Sequence, residues 1–369
     1  MSETKRSVLI LGGAGFIGYG ITRYLAEHRD YHLTVADDFS SGADDEEFRS
    51  LCHTNGITVI SCDLSQPDAY ELLEDHYDYV YVLASVVGVN RCIEEPEEVI
   101  RINTGIIHHT AEWLRSARPL RVLFASSSEN YAATTDTFDY PVPTGEAVPL
   151  CIADTRHPRF TYAVTKVLGE SAFFAYGQRL GIHTTVVRYQ NIYGPRMGFK
   201  HAIPHIIERI YGDQQPVKIY GHDQTRAFCY LSDAAEGTVR ALESDRSDQQ
   251  VYHIGNDDEI TIDTLTRTIG SIMGYDGEYE TAPTYPGSVS RRCPDITKAR
   301  QDLDYQPKVP LKEGLGRAVE WYRAYFDSGK PIKTGGFQPP EALQYRNTVT
   351  ETGAKTGTKT DHSDRRGHL

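Results

Sequence analysis

The chain lacks any long hydrophobic run: in its 369 residues no stretch approaches the ~18 consecutive apolar side chains that cross a bilayer. It opens MSETKR and enters the apolar run Ser7–Leu11 without the h-region of a signal peptide, so neither a membrane span nor a secretory leader is expected. Positive charge is short as well: 38 Lys and Arg face 51 Asp and Glu, a formal net charge of −13. That balance argues against a nucleic-acid surface and requires any anionic ligand to be captured by locally placed donors. Cysteine pairing is missing. The six cysteines (Cys52, Cys62, Cys92, Cys151, Cys229, Cys293) form no CxxC and no disulfide-like rhythm, as expected for mostly buried thiols in a reducing cytoplasm. No metal is expected either. His108 and His109 are neighbours on a helix, where adjacent side chains diverge, and Pro204 interrupts His201 and His205. Internal repeats are absent, and no aromatic follows Tyr345. The tract 335–369 cannot bury enough apolar surface to offset its ordering entropy and is expected to be disordered.

What is present suits a soluble globular protein, with 39% hydrophobic and 24% charged residues. The length allows a large α/β unit with a smaller subdomain. Short apolar runs read as strands: VLILGG from Val8, HLTVAD over His32–Asp37, TVISCD over Thr58–Asp63, YVYVLAS over Tyr79–Ser85, RVLFASSS over Arg121–Ser128 and HTTVVRY over His183–Tyr189. Helical stretches lie between them, to about His28, from about Val99 to Ser116, and from about Tyr162 to Leu180. Apolar strands separated by helix-length crossovers predict a parallel sheet covered on both faces, the doubly wound α/β (Rossmann) architecture. After about residue 193 Pro and Gly become frequent and the alternation breaks down. Residues 1–193 therefore read as a dinucleotide-binding domain, and 194–330 as a smaller C-terminal substrate subdomain with some segments returning to the sheet.

GGAGFIG places Gly12, Gly15 and Gly18, with Phe16 and Ile17 between them, at a strand-to-helix turn. Glycines there permit the tight turn, the approach of backbone to a pyrophosphate, and close packing of helix on strand. The phosphates then meet free N–H groups at the positive end of the helix. A lone motif of this kind is weak. Here it ends the first strand, and Asp37, 19 residues after Gly18, closes the second. A carboxylate there accepts from ribose hydroxyls and repels a 2′-phosphate, and no Arg follows until Arg49, so NAD is favoured over NADP. Asp63 and Leu64, at the end of the third strand, are candidates for the adenine edge; the plainer reading of Asp63 is a solvated strand end.

Tyr162 and Lys166 are one helical turn apart on one face. A free phenol titrates near 10, so Tyr needs a neighbouring cation to act as a base at neutral pH. With 24 tyrosines in the chain the spacing alone proves little. The location gives it meaning: it opens the helix after the fifth strand, which ends Ser126-Ser127-Ser128-Glu129. Hydroxyls at the carboxyl end of a parallel strand face the crevice where ligands bind. The alternative is a serine-rich turn that caps the next segment.

Together these residues resemble the extended short-chain dehydrogenase/reductase family, the nucleotide-sugar epimerases, dehydratases and decarboxylases. NTGII at Asn103, RYQNIYGPRM over Arg188–Met197, GHDQTRAFCYLSDAAEG over Gly221–Gly237 and RRCPDITKAR over Arg291–Arg300 extend the resemblance to roughly residues 7–327. It implies Tyr162 as base, Lys166 as the group holding it and the nicotinamide ribose, and Ser127 as the hydroxyl on the sugar. It also implies Asn191 at the nucleotide diphosphate, and Arg226 and Arg292 as arginines for phosphate or sugar, for which a guanidinium fork is suited.

Within the family, dehydratases of the dTDP-glucose type carry Asp where Ser128 stands. UDP-glucuronate decarboxylases carry Thr-Ser-Glu, which Ser127-Ser128-Glu129 resembles most closely. The expectation is therefore a cytoplasmic, NAD-dependent enzyme that oxidises a nucleotide-sugar at C4 and decarboxylates the 4-keto uronate. Ser128 and Glu129 join the catalytic set, with Glu129 and Arg292 managing the carboxylate. A 4-epimerase, including one for UDP-glucuronate, and a 4,6-dehydratase are the enzymatic alternatives. A dinucleotide-sensing binding protein is the non-enzymatic one, although such proteins usually lose the Tyr or Lys. Three features depart from the family pattern: Asn130-Tyr131-Ala132 stands for Val-Tyr-Gly, Gln190 for Phe, Ser or His, and the segment from Ser128 to Tyr162 is long. The resemblance also implies a homodimer built on the helices around Val99–Trp113 and Tyr162–Leu180.

Overall fold

Apolar and β-branched runs, buried on both faces, form a seven-stranded parallel sheet at the centre of the computed structural model. The structure describes residues 5–41, 45–199, 201–284 and 288–329, which fall within one compact unit; the expected disordered tail, 335–369, lies outside the described residues. The strands are β1 (Ser7–Leu11), β2 (His32–Asp37), β3 (Thr58–Ser61), β4 (Tyr79–Val82), β5 (Arg121–Ser127), β6 (His183–Tyr189), β7 (Ile192–Tyr193), β8 (Val217–Tyr220), β9 (Thr225–Ala227), β10 (Cys229–Tyr230), β11 (Gln250–Ile254), β12 (Glu259–Thr261), β13 (Tyr279–Ala282) and β14 (Arg291–Arg292). The helices are α1 (Phe16–His28), α2 (Glu46–Asn55), α3 (Val89–Glu94), α4 (Pro96–Ala117), α5 (Ala132–Phe138), α6 (Thr161–Leu180), α7 (Ala202–Tyr211), α8 (Leu231–Glu243), α9 (Ile262–Met273), α10 (Thr297–Leu303) and α11 (Leu311–Asp327).

The main sheet runs β11-β6-β5-β4-β1-β2-β3, so the direction of winding reverses between β1 and β4. Ligands bind outside the carboxyl ends of the strands at such a reversal. One apolar layer packs α1 and α8 on one face of the sheet, around Val8, Ile10, Ile21 and Val239. The other layer packs α4 and α6 on the opposite face, around Leu9, Val80, Leu114 and Phe173. Small pairings, β12-β9-β14, β13-β8 and β10-β7, and the aromatic core of α7, α9 and α11 form the remainder. β11 sits beside β6 in the main sheet.

Several boundaries differ from the sequence reading. β3 and β4 stop at Ser61 and Val82, ahead of Asp63 and Ser85. β4 stops because the N–H groups of Leu83 and Ala84 both turn onto the Leu11 carbonyl at 2.9 Å, where the chain passes over the glycine turn. β5 ends at Ser127, and Ser128 enters a short 3₁₀ turn. α4 starts at Pro96, ahead of Val99, because Pro suits the first helical position and Glu97 and Glu98 suit the positive end. α3 and α5, both short, had no periodic signal.

Candidate active site

The turn after β1 is built for close approach. Gly12 has φ +85°, and a Cβ there would lie 2.5 Å from the Ala84 nitrogen of the neighbouring strand end. A Cβ on Gly18 would meet the Gly12 carbonyl oxygen at 2.0 Å, so α1 can dock on the turn only through glycine. Gly15 caps α1 and, with Phe16 and Ile17, lines a cavity of about 1260 Å³. Asp37 lines it too: one carboxylate oxygen accepts from the Ala14 N–H at 2.9 Å, the other from the Phe39 N–H at 2.9 Å. Burial pushes this carboxyl up, and the two N–H donors oppose the shift. Asp63 accepts from the Ser65 N–H at 2.9 Å and, with Leu64, completes the same wall. An open helix N-terminus, a glycine cradle and a carboxylate at the β2 end together fit an NAD dinucleotide.

The catalytic candidates meet further along the cavity. α6 begins at Thr161, so Tyr162 and Lys166 fall on its first two turns, beside the β5 end. The Lys166 ammonium donates to the Ala125 carbonyl at 2.8 Å and lies 5.5 Å from the Tyr162 ring centre. Burial pulls this amine down to about 7, with Glu170 acting in the opposite sense. Burial pushes the Tyr162 phenol well above its ordinary value, and a hydrogen bond with the Ser127 hydroxyl counters it. Ser127 also accepts from the Glu129 N–H at 3.2 Å, which fixes the short turn that presents Glu129. Ser128 is buried and lines the cavity.

Glu129 accepts from Arg292 Nη1 at 2.7 Å, and its other oxygen is 3.8 Å from Arg159 Nη2. Burial would raise this carboxyl, but the charges of Arg292 and Arg159 outweigh it and hold it below the usual range. Asn191 lines the cavity and donates its amide to the Ala227 carbonyl at 2.9 Å. Arg226 donates to the Thr225 and Val289 carbonyls at 2.7 and 2.6 Å; it is not among the described residues lining the cavity, but its charge helps to hold the Glu129 carboxyl down.

Three functional supports escaped the sequence reading. Arg159, on the 3₁₀ turn leading into α6, was one. A second is the buried Glu170–Arg188 pair: Glu170 accepts from Arg188 at 2.8 and 2.7 Å, from Ser126 at 2.6 Å and from Asn130 at 2.7 Å. It ties α6, β5 and β6 together beneath Tyr162 and accounts for Asn130 in place of Val. The third is the partner of Gln190, a residue that departs from the family pattern: the Gln190 side chain pairs with the Tyr131 hydroxyl at 2.8 and 3.1 Å. The long segment before Tyr162 also has a role. Thr144 exchanges backbone hydrogen bonds with Cys293 and Asp295 at 2.9 and 2.8 Å, bracing the strand that carries Arg292.

The model of the NAD dependent epimerase/dehydratase family matches residues 8–255, from β1 through β11. The chain belongs to that family. NAD is its cofactor, and this epimerase/dehydratase family member is an enzyme. It is 30% identical over 333 residues to a UDP-N-acetyl-alpha-D-glucosaminuronate decarboxylase of Bacillus cytotoxicus, covering 86% of this chain and 98% of that protein. It is 30% identical over 329 residues to UDP-glucuronic acid decarboxylase 5 of Arabidopsis thaliana, covering 87% and 90%. Among solved structures, a UDP-N-acetylglucosamine 4-epimerase of Methanobrevibacter ruminantium in complex with UDP-N-acetylmuramic acid superposes with a TM-score of 0.76 at 25% identity, covering 87% and 99%. Among the described residues no group of His, Cys, Asp and Glu is arranged to hold a metal ion, and no helix is long and apolar enough to cross a membrane.

Proposed function

We propose that this family member is a cytoplasmic decarboxylase of a UDP-linked hexuronate, of the UDP-glucuronate type, working through a transient 4-ketone. The observation that carries the reading is Glu129 paired with Arg292 on the wall that also holds Ser127 and Tyr162. The decarboxylase relatives support it. When bound, NAD supplies the hydride acceptor and donor for C4. Tyr162, polarised by Ser127 and by the nearby Lys166 ammonium, takes the C4 hydroxyl proton. A 4-ketone makes the C5 carboxylate a β-keto acid, which loses carbon dioxide readily. Glu129, kept ionised by its arginines, orients Arg292 towards that carboxylate, and the enolate left by the departing carbon dioxide regains its C5 proton from water. Tyr162 then returns its proton to the C4 oxygen.

In this account Gly12, Gly15, Gly18, Asp37, Asp63 and Leu64 hold the dinucleotide, and Asn191 contacts the nucleotide diphosphate. The part before residue 193 carries the cofactor wall and the groups Ser127, Glu129 and Tyr162, and the part after it contributes Arg292 to the same cavity. Ile100 on α4, and Val164 and Leu168 on α6, are 45%, 42% and 46% exposed, and a second copy packed on these two helices would cover them. The proposed assembly is such a homodimer. Product analysis of enzyme incubated with NAD and UDP-glucuronate tests the reading: UDP-xylose or its 4-keto precursor supports decarboxylation. UDP-galacturonate without carbon dioxide would instead favour a 4-epimerase, a reading that the three adjacent serines at the β5 end keep in play.

A further inference from the structure

One guanidinium joins three elements at the cofactor end of the cavity. Arg196 stands in the segment after β7, and its side chain is only 4% exposed. Its Nη1 donates to Asp45 at 2.6 Å and to Glu47 at 3.3 Å, both at the start of α2. The guanidinium carbon also lies 4.2 Å from the ring centre of Tyr19 on α1, and the Tyr19 hydroxyl donates to Glu47 at 2.7 Å. The other oxygen of Asp45 accepts from the Phe48 N–H at 2.9 Å and caps α2, so the ion pair acts on the helix as a whole.

These contacts bear on the cofactor through their position. Tyr19 directly follows Gly18 of the glycine turn. Asp45, Glu47 and Arg196 line the same cavity as Asp37, the carboxylate that this fold places at the adenosine ribose. The backbone of the arginine's own segment is sharply bent: Asn191 at φ +44° and Arg196 at φ +69° both occupy the left-handed region, which residues with side chains rarely adopt. Such a conformation persists where surrounding contacts fix it, and at Arg196 those contacts reach α2 and α1. The arginine end of the pair is largely withdrawn from water, where a charged hydrogen bond is stronger than on an open surface. The start of α2, the helix after the glycine turn and the segment after β7 are thus held as one wall around the adenosine half of the dinucleotide.

We propose that Arg196 is a positioning residue for the cofactor: it ties the start of α2 to the segment after β7 at the adenosine end of the cavity and so slows release of the dinucleotide. The role concerns the cofactor alone and is independent of which sugar is turned over. It is tested on the full chain loaded with NADH, by adding excess NAD and following the decay of bound-NADH fluorescence. Arg196→Met is expected to speed release roughly 30-fold, and Arg196→Lys, which keeps the charge without the fork, by less than about fivefold. Asp45→Asn keeps an N-cap oxygen without the charge and should speed release about tenfold; added to Arg196→Met it should contribute less than about twofold more. Release from Arg196→Met within about twofold of the parent, no recovery in Arg196→Lys, or fully additive effects of the Arg196 and Asp45 changes overturns the assignment. Should Arg196→Met fail to fold, Asp45→Asn decides: release at least about threefold faster supports the bridge, and a smaller change rejects it.

Discussion

The ammonium of Lys166 donates to the carbonyl of Ala125 at 2.8 Å and, with the Tyr162–Ser127 hydrogen bond, joins the first turns of α6 to the end of β5. It holds a cation in a place where burial opposes charge, as the proposed Tyr162 base requires. The site is thus maintained against its own desolvation.

A stability consequence follows from the sign of that shift. Lys166 is pulled down to about 7, whereas an unfolded lysine titrates near 10.4. The unfolded chain therefore binds more protons, so the native state gains stability as pH rises from about 7 to 10 and loses it as pH falls through that window. Lys166→Met removes the penalty. It should stabilise the protein at pH 7 by on the order of 1–3 kcal/mol while abolishing turnover. Urea melts at pH 7 and pH 9 check this: the advantage of the variant should shrink at the higher pH.

On the proposed mechanism, Tyr162→Phe removes the proton acceptor and little else. The expected outcome is a fall in kcat of at least about 10³-fold with NAD affinity within twofold of the parent. Single-turnover absorbance at the NADH band, together with a cofactor titration, separates the two effects.

The Glu170–Arg188 pair is buried on both sides, with side chains 7% and 5% exposed. Glu170→Gln keeps the volume but leaves a guanidinium without its counter-charge, and should cost about 3–5 kcal/mol. A urea midpoint shifted by less than the equivalent of about 1 kcal/mol would show that the pair does not brace β5, β6 and α6.

His253 is fully buried, stacks on Tyr131 with ring centres 5.4 Å apart, and is pulled down to about 3, chiefly by burial. An unfolded His titrates near 6.5, so the stability held above that pH is lost progressively as pH falls from about 6.5 towards 3. The loss attributable to this ring should be about 2 kcal/mol at pH 5. His253→Phe should flatten the acid limb of the stability profile by that amount; an unaltered limb assigns the slope elsewhere.

Strands such as VLIL and VVRY were legible because a parallel sheet buried on both faces demands unbroken apolar runs, and the glycine turn because no other residue fits φ +85° against Ala84. Tyr162, Lys166 and Ser127 carried family spacing, and the structure brings them together. Strand ends were less legible: whether Leu83 extends β4 depends on where the Leu11 carbonyl points, a matter of tertiary geometry. Arg159 lies in a Pro- and His-containing turn without periodicity, and nothing local distinguishes it from a solvated arginine. Glu170 is an acid on a helix whose partner is 18 residues away on another element, so its burial is invisible until α6 is docked on the sheet.

The central claim is decarboxylation through a 4-ketone, and the most direct measurement is NMR in D₂O of enzyme, NAD and UDP-glucuronate labelled with ¹³C at C6. The account predicts labelled carbon dioxide and bicarbonate, together with a nucleotide pentose carrying deuterium at C5. Retention of the labelled carboxylate on the sugar, with C4 inverted and no deuterium at C5, would contradict it.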